Sequence, residues 1–463
     1  MFLQRRLEEA EQELRRLRAR VAEQDEAERR LLARIDELQR AGKRQASPFS
    51  KGDPKCRPKR PGRKAGSAYG VRHGRARPDH VDEEYEVSLP DCCERCGGAL
   101  KEVRLAEQFQ IDLRPPPPPI VRRFRIHVGK CGDCGRRVQP RHSLQTSDAL
   151  GAAAVQLGPR VVGLATLLNK DYGMSWGKVA RFVERSFGLR ACRAAYCRAS
   201  LRLASRLEPT YDALIGAVRS SSHVTPDETG WRVAGRRRWL WTFVGVRVTV
   251  YAIAASRGSD VVTAVLGADF AGGVTRDGWA AYRCLRKASH QSCVGHHMRR
   301  CHEILEVAKR GQAKFAHGVL RVFKAALALR DRREELTTHG FASLRGKVEA
   351  ELDWLLSWRP RYELNRKFRN HLERERPYLL TFLYDPAIEA TNWIAEQALR
   401  GPAVIARKLS GCSRTDRGAR CHAIHLSVIR TAAQRDADPV DLFVRALRAP
   451  APRALPLGSP PVG

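Results

Sequence analysis

The sequence predicts a multidomain α/β protein, and three observations carry that reading. Short β-like runs interleaved with a helical pattern occupy residues 220–295. A heptad repeat opens the chain. Two Cys-x-x-Cys pairs lie between these regions.

The heptad covers residues 3–38. Its seam is Leu3, Leu7, Ala10, Leu14, Leu17, Val21, Gln24, Glu28, Leu31, Ile35 and Leu38, nine of eleven apolar. Charges five apart are opposite (Arg6 with Glu11, Glu13 with Arg18, Arg20 with Asp25), as in a parallel dimer. Residues 1–42 therefore read as a coiled-coil oligomerisation helix, with an amphipathic helix folded onto its own chain as the alternative. Since the pattern begins at Met1, the true start of the chain is open to lying upstream.

Residues 43–89 read as a basic disordered linker. Within 43–77 stand twelve Lys or Arg against one acid, Asp53, a composition that builds no core. Residues 90–145 hold Cys93-x-x-Cys96 and Cys131-x-x-Cys134. Paired thiolates on tight turns suit tetrahedral Zn²⁺, so this segment reads as a zinc-binding module. Buried free cysteines are the alternative.

Residues 155–215 read as a helical, helix-turn-helix-like DNA-binding region, with helices near Arg160–Lys170, Ser175–Ser186 and Arg193–Leu207. Arg190, Arg193, Arg198 and Arg202 lie on or near the third helix. A plain connector with a solvated basic face is the alternative.

Residues 220–440 read as the catalytic domain. Strands are expected at His223–Asp227, Trp239–Val246 and Thr249–Ala255, then a helix near Ser259–Leu266. A strand ending at Asp277 and a strand-like piece at Gln291–Gly295 follow. Three strands, a helix and a strand make the layout of a ribonuclease-H-like core. A helical insertion over about 300–385 precedes a last helix carrying Glu396, which Thr391 is placed to cap. Residues 441–463 form a C-terminal tail.

Charge narrows the partner. Lys and Arg exceed Asp and Glu by 84 to 50, a net +34. Nucleic acid is the natural counterpart, because binding releases its condensed counterions. No apolar run is long enough to span a membrane, and a cytoplasmic, nucleoid-associated location is expected. In so basic a region, carboxylates at strand ends (Asp227, Asp277) and on a helix (Glu396) point to metal ligation. Two such ions activate a nucleophile and stabilise a leaving oxygen. Singly, each has a plainer reading: Asp227 and Asp277 as turn residues before glycines, Glu396 as a solvated helix acid. Trp231, Trp239, Trp241 and Trp279 read as core residues, with base-stacking platforms as the alternative.

The motifs DETGW, RRRWLWTFV, SRGSDVV, LGADFAG, DGWAAY, C-x-x-H-x-x-RR, ATN-x-x-AE-x-ALR and RK-x-SG-x-SR-x-x-x-GAR resemble those of the insertion sequence 66 transposases, bacterial DDE enzymes. The likeness extends to the coiled coil, the linker and the cysteine pairs. It implies Asp227, Asp277 and Glu396 as catalytic, Mg²⁺- or Mn²⁺-binding residues. His296 and Arg299 fall on the motif after the second acid, and Arg407 and Lys408 on the basic motif after the third, where DNA contacts are expected. The chain departs from the family pattern at Trp393, Gln397, Gly295 and His297. The implied function is binding of the element's ends with DNA cleavage and strand transfer. Implied partners are terminal repeats, target DNA, a second copy of the chain and accessory proteins of the same element. A transposase-derived DNA-binding protein without catalysis is the alternative.

Overall fold

The computed structural model describes residues 12–14, 16–28, 30–31, 76–403, 407 and 411–456. The described residues between 12 and 31 are helical. Leu14, Leu17, Val21 and Leu31 of the seam are exposed. Leu3, Leu7, Ala10, Ile35 and Leu38 lie outside the described residues, as does the linker as far as residue 75. The chain divides into two compact units, Met1–Leu113 and Arg114–Gly463, so the two cysteine pairs fall in different units.

In the second unit, a two-residue ribbon, β1 (Gly129–Lys130) and β2 (Arg137–Val138), flanks Cys131 and Cys134. Three helices follow: α1 (Pro159–Lys170), α2 (Trp176–Phe187) and α3 (Arg193–Arg219). Ser175 caps α2 by accepting the Lys178 N–H at 3.3 Å. Gly188 ends it at φ 69°, the left-handed conformation a helix C-terminus favours. Ala165, Val179, Val183 and Tyr196 form a small core among the three helices. The third helix runs twelve residues past its expected end at Leu207, straight through Pro209. An interior proline costs about 3 kcal/mol. Here the buried stripe Leu203, Leu207, Tyr211, Leu214 and Val218 outweighs that cost by packing beneath the sheet.

The sheet has five strands in the order β5-β4-β3-β6-β7. They are β3 (His223–Val233), β4 (Arg236–Gly245), β5 (Thr249–Ala254), β6 (Gly273–Arg276) and β7 (Ser289–Ser292). Pairs β3–β4 and β4–β5 are antiparallel, and β3–β6 and β6–β7 are parallel. Helix α4 (Ser259–Leu266) makes the crossover from β5 to β6. Strand β3 is longer than the expected His223–Asp227. Trp231 and Val233 are buried, and the strand ends in a two-residue turn at Ala234 (φ 49°) and Gly235 (φ 77°). Positive φ at both positions is the geometry that matches the twist of paired strands. Asp227 thus sits mid-strand rather than at a strand end.

The helical segment is built from α5 (Val294–Val307), α6 (Lys314–Asp331), α7 (Thr338–Ser357) and α8 (Glu363–Glu375), which share their own apolar core. The short α9 (Trp393–Ala398) carries Glu396. Its N-cap is Asn392, not Thr391, and no side chain caps it. Helix α10 (Asp416–Gln434) packs across β5, and α11 (Pro439–Arg448) lies on α1. A Cβ at Gly163 would stand 3.1 Å from Val440 Cγ1, so a larger residue there would push α1 and α11 slightly apart.

Candidate active site

The parallel register explains how two distant aspartates meet. His223 pairs with Gly273 and Val224 with Val274, an offset of 50 in both cases (273 − 223; 274 − 224). Asp227 and Asp277 are also 50 apart, so the register carries Asp227, within β3, alongside Asp277, the residue that follows the end of β6. Pairing stops after Val224 and Val274. The carboxylates therefore stand where β3 and β6 part, at the kind of crevice in which open α/β sheets receive ligands.

Local bonds hold both side chains. Asp227 Oδ1 accepts the Glu228 N–H at 2.9 Å. Asp277 Oδ1 accepts the Trp279 N–H at 2.9 Å, the turn chemistry an Asp before glycine favours. Burial raises the Asp227 carboxyl well above its ordinary range, and the charges of Glu228, Asp277 and Glu396 push it further. Asp277 and Glu396 thus both act on the Asp227 carboxyl.

Glu396 reaches this site through a junction between α5 and α9. Val294 N–H donates to Ala390 C=O at 3.0 Å, and the Cys293 thiol donates to Asn392 Oδ1 at 3.1 Å. That junction sets His296 Nε2 3.7 Å and Arg299 Nη2 3.4 Å from Glu396 Oε1, with Arg400 Nη2 2.9 Å from Oε2. Burial, then the charge of Arg299, lowers the His296 pKa below that of a free imidazole, against the pull of Glu396 and Asp277.

Glu228, the neighbouring acid, is committed elsewhere. Arg257 Nη2 lies 2.7 Å from its Oε1, and the Tyr282 hydroxyl donates to its Oε2. Both partners lie inside motifs quoted above, Arg257 in SRGSDVV and Tyr282 in DGWAAY, but their pairing with Glu228 across 29 and 54 positions leaves no sequence trace. Arg400, by contrast, lies four residues after Glu396, an ion-pair spacing on a helix that could have found it.

The expected DNA contacts divide. Arg193, Arg198 and Arg202 project from α3 into solvent. Arg190 pairs with Glu184 at 2.8 Å. Arg407 Nη1 donates to Thr229 Oγ1 at 3.0 Å and to Gly230 C=O at 2.9 Å, bracing β3. Lys408 lies outside the described residues.

Cys93 and Cys131 open identical turns. In each, the first cysteine's N–H donates to the carbonyl five residues on, Gly98 or Arg136. Its own carbonyl accepts from the glycine four residues on, Gly97 (φ 71°) or Gly135 (φ 68°). Backbone N–H groups, Arg95 then Cys96 in the first turn and Cys134 then Asp133 in the second, lower both leading thiols below their ordinary pKa. Among the described residues, no three His, Cys, Asp or Glu side chains are disposed as a ready-made metal site. None of the described helices is long and apolar enough to cross a membrane.

The family model described as "Transposase IS66 family" matches residues 155–421, more than half of the chain, from the three-helix cluster through α9 and into α10. No curated protein matches the chain.

Proposed function

The chain belongs to the IS66 transposase family, and from that membership we propose that it is a DDE transposase acting on the ends of its own insertion sequence by metal-dependent DNA cleavage and strand transfer. The observation that supports this is that the buried Asp227 carboxyl is raised by the charges of both Asp277 and Glu396, although the three acids stand 50 and 119 positions apart in sequence. We read the sheet order, with its crossover helix, as a ribonuclease-H-like core carrying a helical insertion.

The donor set fits a hard cation. Oxygen ligands suit Mg²⁺ or Mn²⁺, and a buried carboxylate raised by like charges lacks a counter-charge that such an ion would supply. Asp227, Asp277 and Glu396 would hold it, and the bound ion would neutralise charge on the phosphoryl oxygens and make water a better nucleophile. Asp227 and Asp277 each take a backbone N–H on Oδ1, and the Oδ2 of each would serve as the ligand. His296, Arg299 and Arg400 hold Glu396 in place and leave positive charge beside it for a DNA phosphate.

The remaining parts divide the work of binding. Exposed Arg193, Arg198 and Arg202 would read or grip the element end, and the basic linker would grip phosphates without reading bases. Cys93, Cys96, Cys131 and Cys134 would hold one Zn²⁺, which the matching knuckle turns and lowered thiols favour. The N-terminal heptad would pair two copies.

The test uses purified full-length protein and duplexes bearing the inverted repeats that flank the gene. With Mg²⁺ or Mn²⁺ the protein should nick the repeat end and join the freed 3′-hydroxyl to target DNA. Specific binding without any metal-dependent cleavage would instead identify a DNA-binding protein derived from a transposase.

A further inference from the structure

We propose that Trp279 is a stacking platform for a nucleobase that has left the duplex at the cleaved DNA end; the inference rests on the DNA-cleaving function proposed above. Trp231 and Trp241 are buried, but Trp279 is 38% exposed, two residues after Asp277. Its backbone N–H holds the Asp277 carboxylate, so the ring is anchored to the candidate site itself.

The ring is also fixed in orientation. Its Nε1–H donates to the Arg257 carbonyl at 3.0 Å. The Arg257 guanidinium lies 4.0 Å from the Trp279 ring centroid and 4.6 Å from that of Trp239, and Arg237 lies 4.9 Å from Trp239. The four side chains form one ladder, Arg237–Trp239–Arg257–Trp279, that ends on a solvent-facing indole. Glu228 pins Arg257 at 2.7 Å, which ties the ladder to the strand carrying Asp227. A rigid aromatic beside a carboxylate site and backed by arginines suits a base better than an aliphatic partner. The ring stacks on the base, and the arginines compensate the flanking phosphates. A prepared platform offsets the cost of unstacking a base.

The experiment is a cycle between protein and DNA, run with the full-length chain. Trp279→Ala keeps the backbone N–H to Asp277 and removes the ring; Trp279→Phe keeps a stacking face. An abasic site is placed in turn at each position flanking the cut. Cleavage is measured with Mn²⁺, and the dissociation constant in metal-free buffer. On intact ends Trp279→Ala should lose about 10-fold or more, and Trp279→Phe much less. At one abasic position the wild type should fall by a similar factor and the gap to Trp279→Ala should close. An equal penalty at every abasic position, or none on intact DNA, overturns the platform. A wild type that cuts no end overturns the cleavage function alone, and the dissociation-constant cycle still decides whether a base stacks on Trp279.

Discussion

Arg276, the residue before Asp277, is fully buried with Nη1 3.0 Å from Glu375 Oε2, at the last residue of the insertion helix α8. Arg276 Nη1 also donates to the Asp277 carbonyl at 3.1 Å, and Arg283 Nη2 meets the other Glu375 oxygen at 2.7 Å. Burial pushes the Glu375 carboxyl up, but Arg276 and Arg283 overcome this and hold it below its usual range. The insertion thereby supplies the counter-charge beneath the Asp277 turn.

Glu375→Ala should destabilise the second unit by about 3–5 kcal/mol, because it strands a buried guanidinium. Glu375→Gln should cost less. Urea unfolding of the two variants beside wild type measures the difference; equal stability of all three would show that the pair is dispensable.

Asp227→Asn should melt a few degrees higher than wild type in metal-free buffer at neutral pH, while abolishing cleavage and leaving DNA binding intact. The substitution removes a buried charge set among Glu228, Asp277 and Glu396. Added Mg²⁺ should raise the wild-type melting temperature and leave that of the variant nearly unmoved. Differential scanning fluorimetry reads both effects, and a variant that melts lower than wild type without metal contradicts the argument.

Stability should fall in acid because of His425 in α10. Burial, then the charge of Lys170, pushes its pKa down to about 3 from an unfolded value of 6.5. The folded state then binds fewer protons than the unfolded state below pH 6.5. The stabilisation is complete above that pH and is lost progressively as pH falls toward 3. Each pH unit costs about 1.4 kcal/mol. His422, also lowered, adds to the slope. Urea midpoints between pH 4.5 and 6.5 should show a shallower slope for His425→Leu; an unchanged slope removes His425 as the source.

Purified protein should carry about one Zn²⁺ per chain. Cys93→Ser should lose it and expose the other three thiols to alkylation, read by elemental analysis and thiol titration. Four freely alkylated cysteines in zinc-poor wild type would exclude the module.

Deleting residues 43–77 should weaken binding to all DNA alike and flatten its salt dependence, since each lost phosphate contact removes about one unit of slope. Arg193→Ala or Arg198→Ala should instead narrow the gap between element ends and random DNA. Titrations on both DNAs at several salt concentrations separate the two, and a linker deletion that erased end preference would reverse the roles.

Much of the sheet was legible because β-branched and aromatic runs broken by Gly mark its strands, and His223, Thr249 and Ser259 begin elements where expected. Asp227, Asp277 and Glu396 stood out through their local sequences. Their supports did not. Arg257 and Glu375 are single charges whose partners lie 29 and 99 positions away (257 − 228; 375 − 276), and pairing at that range leaves no periodic trace. Pro209 masked the length of α3, since local propensity ends a helix there and only tertiary burial carries it on. Trp279 read as core because an indole is ordinarily buried, and nothing in its neighbours announces the Arg257 that holds it at the surface.

Helix α3 has 27 residues, about 40 Å of continuous rod. One half is packed into the three-helix cluster through Tyr196, and the other into the floor of the sheet through Leu203 to Val218. A repeat seated on the cluster would therefore be cut at a counted distance, as on a ruler whose zero is the recognition sequence. Inserting a base pair between repeat and terminus should move the cut by one nucleotide rather than abolish it.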